Sequence, residues 1–324
     1  MSRVLITGIA GFLGSHMAES LLEAGHTVTG TVHQTGRGLN GGGEVAILPC
    51  DILEAKQVEE AVAAARPEVL FHFAAQSLPA VSWRDPETTF RVNVLGTRNL
   101  LEAVRRAALD PLLVVAGSSA EYGSVLAGGQ PIKEEAVIRP SSPYGMSKAA
   151  ADVTARFYGE TYRLKVIRVR PFLAIGPRKR GDVCSDFARG VVAVERGAQP
   201  ALPVGNLDAV RDFLDVRDVV RALRLIADRG APGQVYNVCS GAGTAVRDVL
   251  EIMLSHAARP VPVVSDPALL RPADEDIVIG DNSRLRALGW QPTIPLDDSL
   301  AAILDYWRQR EAETAGSISQ EAHG

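Results

Sequence analysis

From Val4 to Arg170, short apolar runs alternate with longer stretches in which apolar residues recur every three or four positions. That alternation is the pattern of βαβ units laid around a parallel sheet. The runs predict strands over Val4–Thr7, Thr27–Thr31, Val45–Pro49, Val69–Phe73, Leu112–Ala116 and Lys165–Arg170. Between them, Leu13, Met17, Leu21 and Leu22 share one stripe of a helix over Leu13–Glu23, and Leu95, Leu100, Leu101 and Val104 share one stripe of a helix over Val92–Ala107. The glycine-rich stretch Gly36–Glu44 reads as a long loop, a lid or a wide turn. After Arg170 the alternation breaks, and Pro171, Gly176, Pro177, Pro200, Pro203 and Gly205 punctuate shorter elements. The polar stretch Glu311–Gly324 predicts a frayed tail.

Composition narrows the class of protein. The chain has 324 residues, 46% hydrophobic, 22% charged and 5% aromatic, enough apolar side chain for a large core and too much for a disordered or fibrous chain. A formal charge of -4 gives no long-range attraction to nucleic acid or to an anionic membrane, so an anionic ligand must be held by local positive groups. Cys50, Cys184 and Cys239 are an odd, scattered set without a CxxC pair, which argues against a disulfide framework and a metal site and suits a reducing compartment. The opening MSRVLITG enters an apolar run too short for a secretory signal, and no apolar stretch is long enough to span a bilayer. A soluble, cytoplasmic protein is the expectation.

The first strand runs into Gly8-Ile9-Ala10-Gly11-Phe12-Leu13-Gly14, a GxxGxxG turn that opens a helix. Glycines here allow a tight turn, close approach of a pyrophosphate to backbone amides, and packing of helix on strand. A carboxylate at Asp51, after the third strand, can meet an adenine amino group or cap the turn before Leu53. Thr31-Val32-His33 ends the second strand without the acid that grips a ribose 2′-hydroxyl, whereas His33 and Arg37 can meet a 2′-phosphate, which points to NADP. Tyr144 and Lys148 are four residues apart, on one face of a helix, so an ammonium can sit near a phenol and favour its ionisation. Ser118, in Gly117-Ser118-Ser119, stands at the C-terminal sheet edge where open α/β folds bind ligands, or caps the turn that follows. Hydroxyl, phenol and lysine beside a dinucleotide suggest hydride transfer at an alcohol or ketone carbon.

Together with FHFAAQS (Phe71 to Ser77), NVLGT (Asn93 to Thr97), GSSAEYG (Gly117 to Gly123), SPYGMSK (Ser142 to Lys148) and RPFLAIGP (Arg170 to Pro177), these motifs resemble the extended short-chain dehydrogenase/reductases that act on nucleotide sugars. The resemblance runs from Val4 to about Trp307. It implies an α/β fold: a Rossmann-type doubly wound parallel sheet over residues 1–171, with some later segments returning to it, and a smaller C-terminal α/β substrate-binding region over 172–310. It implies Ser118, Tyr144 and Lys148 as the catalytic residues, with Tyr144 exchanging a proton at the sugar C4 oxygen, Ser118 orienting that oxygen, and Lys148 lowering the tyrosine pKa. NADP(H), with NAD as the alternative, would be held by Gly8, Gly11, Phe12, Leu13, His33, Arg37, Asp51, Ile52, Ala74, Ala75, Gln76, Tyr144 and Lys148. Relatives commonly pair through a four-helix interface, which implies a homodimer formed by the helices after Phe90 and Tyr144.

The segment Val204 to Phe213 and the later GQVYNVCSG resemble those of enzymes acting on GDP-linked sugars. Ser119, Glu121, Val204, Asn206, Arg211, Arg271 and Asp274 are the implied substrate contacts, Asn206 reading a guanine edge and the arginines gripping diphosphate or ribose. Dehydratases of the family carry an acidic base two residues after the catalytic hydroxyl, where this chain has Ala120; its glutamate, Glu121, is one step out of register. Epimerase-reductases place a cysteine near Ser119, and none lies between Cys50 and Cys184. What the resemblance leaves is reduction of the C4 ketone of a GDP-linked 4-keto-6-deoxyhexose, giving GDP-D-rhamnose. Leu173 stands where the family commonly has asparagine, which removes a polar contact to the substrate. The alternatives are a GDP-mannose 4,6-dehydratase with Glu121 or another carboxylate as base, another nucleotide-sugar epimerase or dehydratase, and an NADP-binding sensor or scaffold without turnover.

Overall fold

The computed structural model describes residues 1–33, 45–123, 130–270 and 277–321, with side chains to residue 313. The loop Gly36–Glu44, with Arg37, therefore lies outside the described residues, as do Arg271 and Asp274. The first half builds β1 (Arg3–Thr7), α1 (Phe12–Glu23), β2 (Thr27–Val32), β3 (Ala46–Pro49), α2 (Ala55–Ala65) and β4 (Val69–His72). It continues with α3 (Pro79–Arg84), α4 (Pro86–Phe90), α5 (Gly96–Arg106), β5 (Leu112–Ala116), α6 (Pro143–Tyr162) and β6 (Lys165–Pro171). All six predicted strands form, within one residue at each end.

The second half is finer grained: β7 (Leu173–Ile175), α7 (Val183–Glu195), β8 (Leu202–Val204), β9 (Val210–Arg211), β10 (Phe213–Asp215), α8 (Val216–Arg229) and β11 (Val235–Val238). Then come β12 (Thr244–Ala245), α9 (Val246–Ser255), β13 (Val263–Ser265), β14 (Ile277–Val278), α10 (Ser283–Ala287) and α11 (Leu296–Glu321). The main sheet is seven-stranded in the order β11-β6-β5-β4-β1-β2-β3, and every pairing in it is parallel. The strand order reverses beside β1, so the C-terminal ends of β1 and β4 flank the crevice where such sheets bind ligands. One late strand, β11, returns to this sheet. The other late strands make two- and three-stranded pieces over that edge, namely β10-β7, β12-β9-β14 and β13-β8.

Burial explains the partition. One face of the sheet packs α1 and α8 through Met17, Leu21, Val219, Leu223 and Ile226, and the other packs α2, α5 and α6 through Val58, Val62, Leu100, Leu101, Val104 and Ala155. With both faces covered, β1 and β5 have no polar side to show. A separate cluster of α7, α9 and α11, including Phe187, Val191, Val249, Met253, Leu304 and Trp307, forms the second core.

Two expectations change in detail. The stretch Val92–Ala107 is helical, but its start, Arg91–Leu95, is wound as a π-turn before α5 proper. Leu95 consequently leaves the apolar stripe and is 45% exposed, while Leu100, Leu101 and Val104 are buried. The wider turn lets Asn93 enter the interior, where it is used by the site described below. At the C-terminus, the backbone of α11 stays helical to Glu321, into the polar stretch where fraying is expected.

Candidate active site

Backbone makes the dinucleotide turn. Gly8 adopts φ +72, and a Cβ there would lie 2.8 Å from both the Cα and the amide nitrogen of Ala74 at the end of β4. A Cβ on Gly14 would lie 2.7 Å from the Ile9 Cα and collide with the Gly8 carbonyl, so α1 can approach the turn this closely only with glycine. Gly11, Phe12 and Leu13 thus open α1 where Gly11, its N-cap, supplies no side-chain cap and the first turn carries no acid. The uncapped amides and the positive end of the helix fit a pyrophosphate, and the cradle is one a Cβ would fill. Gly30 on β2, which sequence reasoning did not single out, makes room for the Ile9 side chain beneath the same turn.

Beneath Ala74 and Ala75 runs a buried polar chain. The Ala74 amide donates to Thr7 Oγ1 at 3.3 Å, Thr7 meets His72 Nδ1 at 2.7 Å, His72 Nε2 meets Thr97 Oγ1 at 3.0 Å, and Thr97 donates to the Asn93 carbonyl at 2.6 Å. The direction of these bonds assigns His72 a neutral Nε2–H tautomer. Burial, with the Lys148 charge adding to it, pushes the His72 pKa down to about 3. Asn93 then clasps the Gln76 backbone from both sides, accepting from its amide at 2.8 Å and donating to its carbonyl at 3.0 Å, and also donates to Ser147 on α6 at 2.8 Å. The Gln76 side chain is tied to Thr89 and Leu78, which fixes the loop after β4.

At the sheet's opposite rim, Asp51 takes the capping reading of its position. Its Oδ1 accepts from the Leu53 amide at 2.9 Å, a local cap, while Oδ2 lies 3.7 Å from His33 Nδ1 at the end of β2. His33 is exposed, and Ile52 is buried beneath Gly96.

Ser118, Tyr144 and Lys148 converge from β5 and α6. Ser142 caps α6, accepting from the Gly145 amide at 3.0 Å, with Pro143 at the first helical position. Gly145 lets the helix touch the turn Ser119–Glu121, since a Cβ there would strike the Ala120 carbonyl. Ser118 caps that turn, accepting from the Ala120 amide at 3.1 Å, and its hydroxyl lies on the side of the turn that faces the Tyr144 phenol. Burial pushes the Tyr144 pKa up to about 12, opposed by Ser118 and reinforced by the Glu121 charge. Lys148 donates to the Ala116 carbonyl, and burial pulls its pKa down to about 8 against the pull of Glu121 and Asp152. In the protein alone the ammonium is directed at a backbone carbonyl, and burial outweighs the other influences on the phenol.

Glu121 requires a correction. Expected as a substrate contact or an elimination base, it is fully buried. Its Oε1 accepts from the Ser118 amide at 2.7 Å, and its Oε2 binds Arg170 Nε at 2.9 Å. A carboxylate sealed in this way cannot reach a sugar carbon. Sequence reasoning missed its partner because Arg170 lies 49 residues downstream; a charged residue in the otherwise apolar strand β6 was the available signal.

The other described residues expected to contact substrate are engaged locally. Ser119 is half-buried in the turn beside Ser118. Val204 is buried in the second core, so its side chain cannot contact a ligand. Asn206 Oδ1 accepts from the Asp208 amide at 3.0 Å in a local turn, and Arg211 Nη1 donates to its neighbour's carbonyl at 2.9 Å. Leu173 is half-buried in β7. Asp212, unremarked in sequence, is a buried carboxylate that accepts from Ser240, Gly241 and Gly280 and ties β9, β11 and β14 together. Among the described residues no cluster of His, Cys, Asp and Glu could hold a metal ion, and no helix is long and apolar enough to cross a membrane.

A twisted parallel sheet with this strand order, a glycine turn shaped for a dinucleotide, and a Ser–Tyr–Lys set at the edge define a nucleotide-dependent oxidoreductase. The family model described as GDP-mannose 4,6 dehydratase matches residues 5–303, and the chain belongs to that family. It is 35% identical to the GDP-6-deoxy-D-mannose reductase of Pseudomonas aeruginosa, over 96% of this chain and 99% of that one. It is 30% identical to a UDP-glucose 4-epimerase of Mycolicibacterium smegmatis, over 95% and 99% of the two chains. Among solved structures, RMD from Pseudomonas aeruginosa complexed with NADPH is similar with a TM-score of 0.83 at 34% identity, covering 96% of this chain and all of that one. The UDP-glucose 4-epimerase of Thermus thermophilus in complex with NAD has a TM-score of 0.85 at 34% identity, covering 94% and 99%.

Proposed function

We propose that the protein is an NADPH-dependent reductase of the C4 ketone of GDP-4-keto-6-deoxy-D-mannose, yielding GDP-D-rhamnose (GDP-6-deoxy-D-mannose). The observation that carries this reading is the fate of Glu121: with alanine at 120 and Glu121 sealed against Arg170, the Ser118 turn offers a proton donor but no base for elimination. The 35% identity to a reductase named for this chemistry agrees with it.

In this reading the bound NADPH supplies the hydride. Ser118 hydrogen-bonds the C4 oxygen and holds it against Tyr144, which donates its phenolic proton as the oxygen gains negative charge. A phenol held near 12 is protonated at neutral pH, the state a reductase requires at the start. Lys148, one turn beyond Tyr144 on α6, would hold the nicotinamide ribose, and the phenolate left by the transfer regains its proton from solvent. Gly8, Gly11, Phe12 and Leu13 would hold the pyrophosphate, Asp51 and Ile52 the adenine side, Ala74, Ala75 and Gln76 the region beside the sheet end, and His33 with Arg37 a 2′-phosphate. Asn206, Arg211, Arg271 and Asp274 would face the nucleotide of the sugar. Residues 1–171 together with β11 would serve the cofactor, and the rest of 172–310 mainly the sugar nucleotide.

The protein would act in the cytoplasm as a homodimer. Met146, Val153 and Phe157 on α6, with Leu95 before α5, leave apolar side chains exposed on one side of these helices. Sedimentation at equilibrium should return the mass of a dimer, and Phe157→Glu should return a monomer.

The deciding experiment incubates the purified protein with GDP-4-keto-6-deoxymannose and NADPH, with GDP-mannose in parallel. Stoichiometric loss of NADPH absorbance with GDP-D-rhamnose as product is expected. Conversion of GDP-mannose to the 4-keto sugar without NADPH oxidation would overturn the reading.

A further inference from the structure

Four buried charged side chains lie directly behind the catalytic residues. Arg170 on β6 binds Glu121 Oε2 through Nε at 2.9 Å and Asp152 Oδ2 through Nη2 at 3.0 Å. Arg168, two residues back on the same face of β6, binds the same Asp152 oxygen at 2.8 Å. Glu121 and Asp152 belong to the two elements that carry the chemistry: Glu121 closes the turn that starts at Ser118, and Asp152 is one helical turn beyond Lys148 on α6. The room for this arrangement is built into the backbone, because a Cβ on Gly117 would collide with Glu121 Oε1.

We propose that the Glu121–Arg170–Asp152 bridge is a positioning device for the reaction, holding the Ser118 turn against α6 in the register that sets Ser118 opposite Tyr144, and supplying the negative charge that Lys148 faces from below. Arg170 is the pivot. Its fork joins the carboxylate that accepts from the Ser118 amide to a carboxylate on the catalytic helix, so neither element can slide without breaking a charge-assisted hydrogen bond in a site closed to water. Tyr122 completes the fork, accepting from Arg170 Nη1 at 2.9 Å and donating to Asn237 at 2.7 Å on β11. The charged and titratable groups facing this cluster are Lys148, Tyr144 and Asp152 from α6, Arg168 and Arg170 from β6, Glu121 and Tyr122 from the Ser118 turn and its end, His72 from β4, and Glu134, whose carbonyl accepts from Arg170 at 3.2 Å. Asp152 Oδ1 is buried with no hydrogen-bond partner among the described residues, so this carboxylate is held by its charge and not by a full set of donors.

The proposal rests on the Ser118–Tyr144–Lys148 assignment and is tested apart from it. Asp152→Asn removes the charge at nearly constant volume. In the full-length protein kcat should fall about tenfold or more while the NADPH Kd and the sugar KM stay within about twofold, because a misplaced proton donor slows chemistry and leaves binding alone. The alkaline limb of the kcat–pH profile should also move to lower pH, since Lys148 loses a facing carboxylate, and hydrogen exchange over the Ser118–Tyr122 turn should accelerate. Unchanged kcat and pH profile would overturn the proposal, and so would a loss of NADPH binding in step with kcat, the mark of a merely structural role. Should Asp152→Asn fail to fold, Tyr122→Phe keeps both carboxylates and loosens only the pivot: kcat should fall and exchange over the turn should accelerate with NADPH Kd and the alkaline limb unmoved, and an unchanged kcat would overturn the proposal. A wild-type protein that reduces no sugar would sink the functional reading while leaving the exchange measurement to decide the bridge.

Discussion

The dinucleotide turn and the proton-transfer site lie on the same edge of one sheet and are built from different materials. The turn is backbone: Gly8, Gly11 and Gly14 remove side chains, leave the first amides of α1 uncapped, and press β1, α1 and Ala74 together. The candidate proton-transfer site is side chain: Ser118, Tyr144 and Lys148 are backed by charges drawn from the Ser118 turn, α6 and β6, which act on protons whose positions burial mainly sets. The contrast teaches that a site made of missing atoms fails chiefly through added volume, whereas a site made of buried charge fails also through the loss of a partner.

The largest effect that would test this contrast is on chemistry. Tyr144→Phe should lower kcat by on the order of a thousandfold with NADPH affinity preserved, as followed by absorbance loss and by fluorescence titration. Undiminished turnover in that variant would mean that the proton comes from elsewhere. Next, Gly14→Ala should do the opposite, raising the NADPH Kd by about tenfold or more through an overpacking cost of about 1–3 kcal/mol while leaving the Ser118–Tyr144 pair untouched; an unaltered Kd would show that the turn is looser than its geometry.

A third measurement joins the two sites, since His72 links the strand under the turn to α5. Its folded pKa, about 3, lies below the unfolded value of 6.5. The stability it contributes is therefore complete above pH 6.5, and it is lost by about 1.4 kcal/mol per unit as the pH falls from 6.5 toward the folded value. Urea unfolding of His72→Asn should show a shallower acid slope over that window, by one proton; parallel slopes would remove His72 from the account. The smallest effect belongs to His33, exposed and 3.7 Å from Asp51. His33→Ala should change stability by less than about 0.5 kcal/mol, and its informative readout is a several-fold fall in preference for NADPH over NADH.

Much of the molecule is legible in one dimension. The six predicted strands of the first half lie within a residue of β1 to β6, because a parallel sheet covered on both faces requires continuous apolar runs. The glycine turn is legible for the same kind of reason: conformational freedom is a property of the residue itself. Tyr144 and Lys148 are legible because one helix carries both. The role of Glu121 is not, because it depends on Arg170, and neither is the effect of Lys148 on the phenol, because the Ala116 carbonyl takes the ammonium. Leu95 leaves its stripe because a π-turn, placed where Asn93 reaches Gln76 and Ser147, shifts the phase of α5.

The sequence by itself determined the parallel sheet, the dinucleotide turn and the placing of Tyr144 and Lys148 on one helix, since periodicity, missing side chains and four-residue spacing are local quantities. Only the tertiary structure decided which ionisable groups are sealed, which charge faces which, and therefore that Glu121 supports Ser118 and does not attack a substrate. Electrostatics depends on distance and burial, and both are set by residues such as Glu121, Asp152 and Arg170 that meet only when β6 closes beside β5.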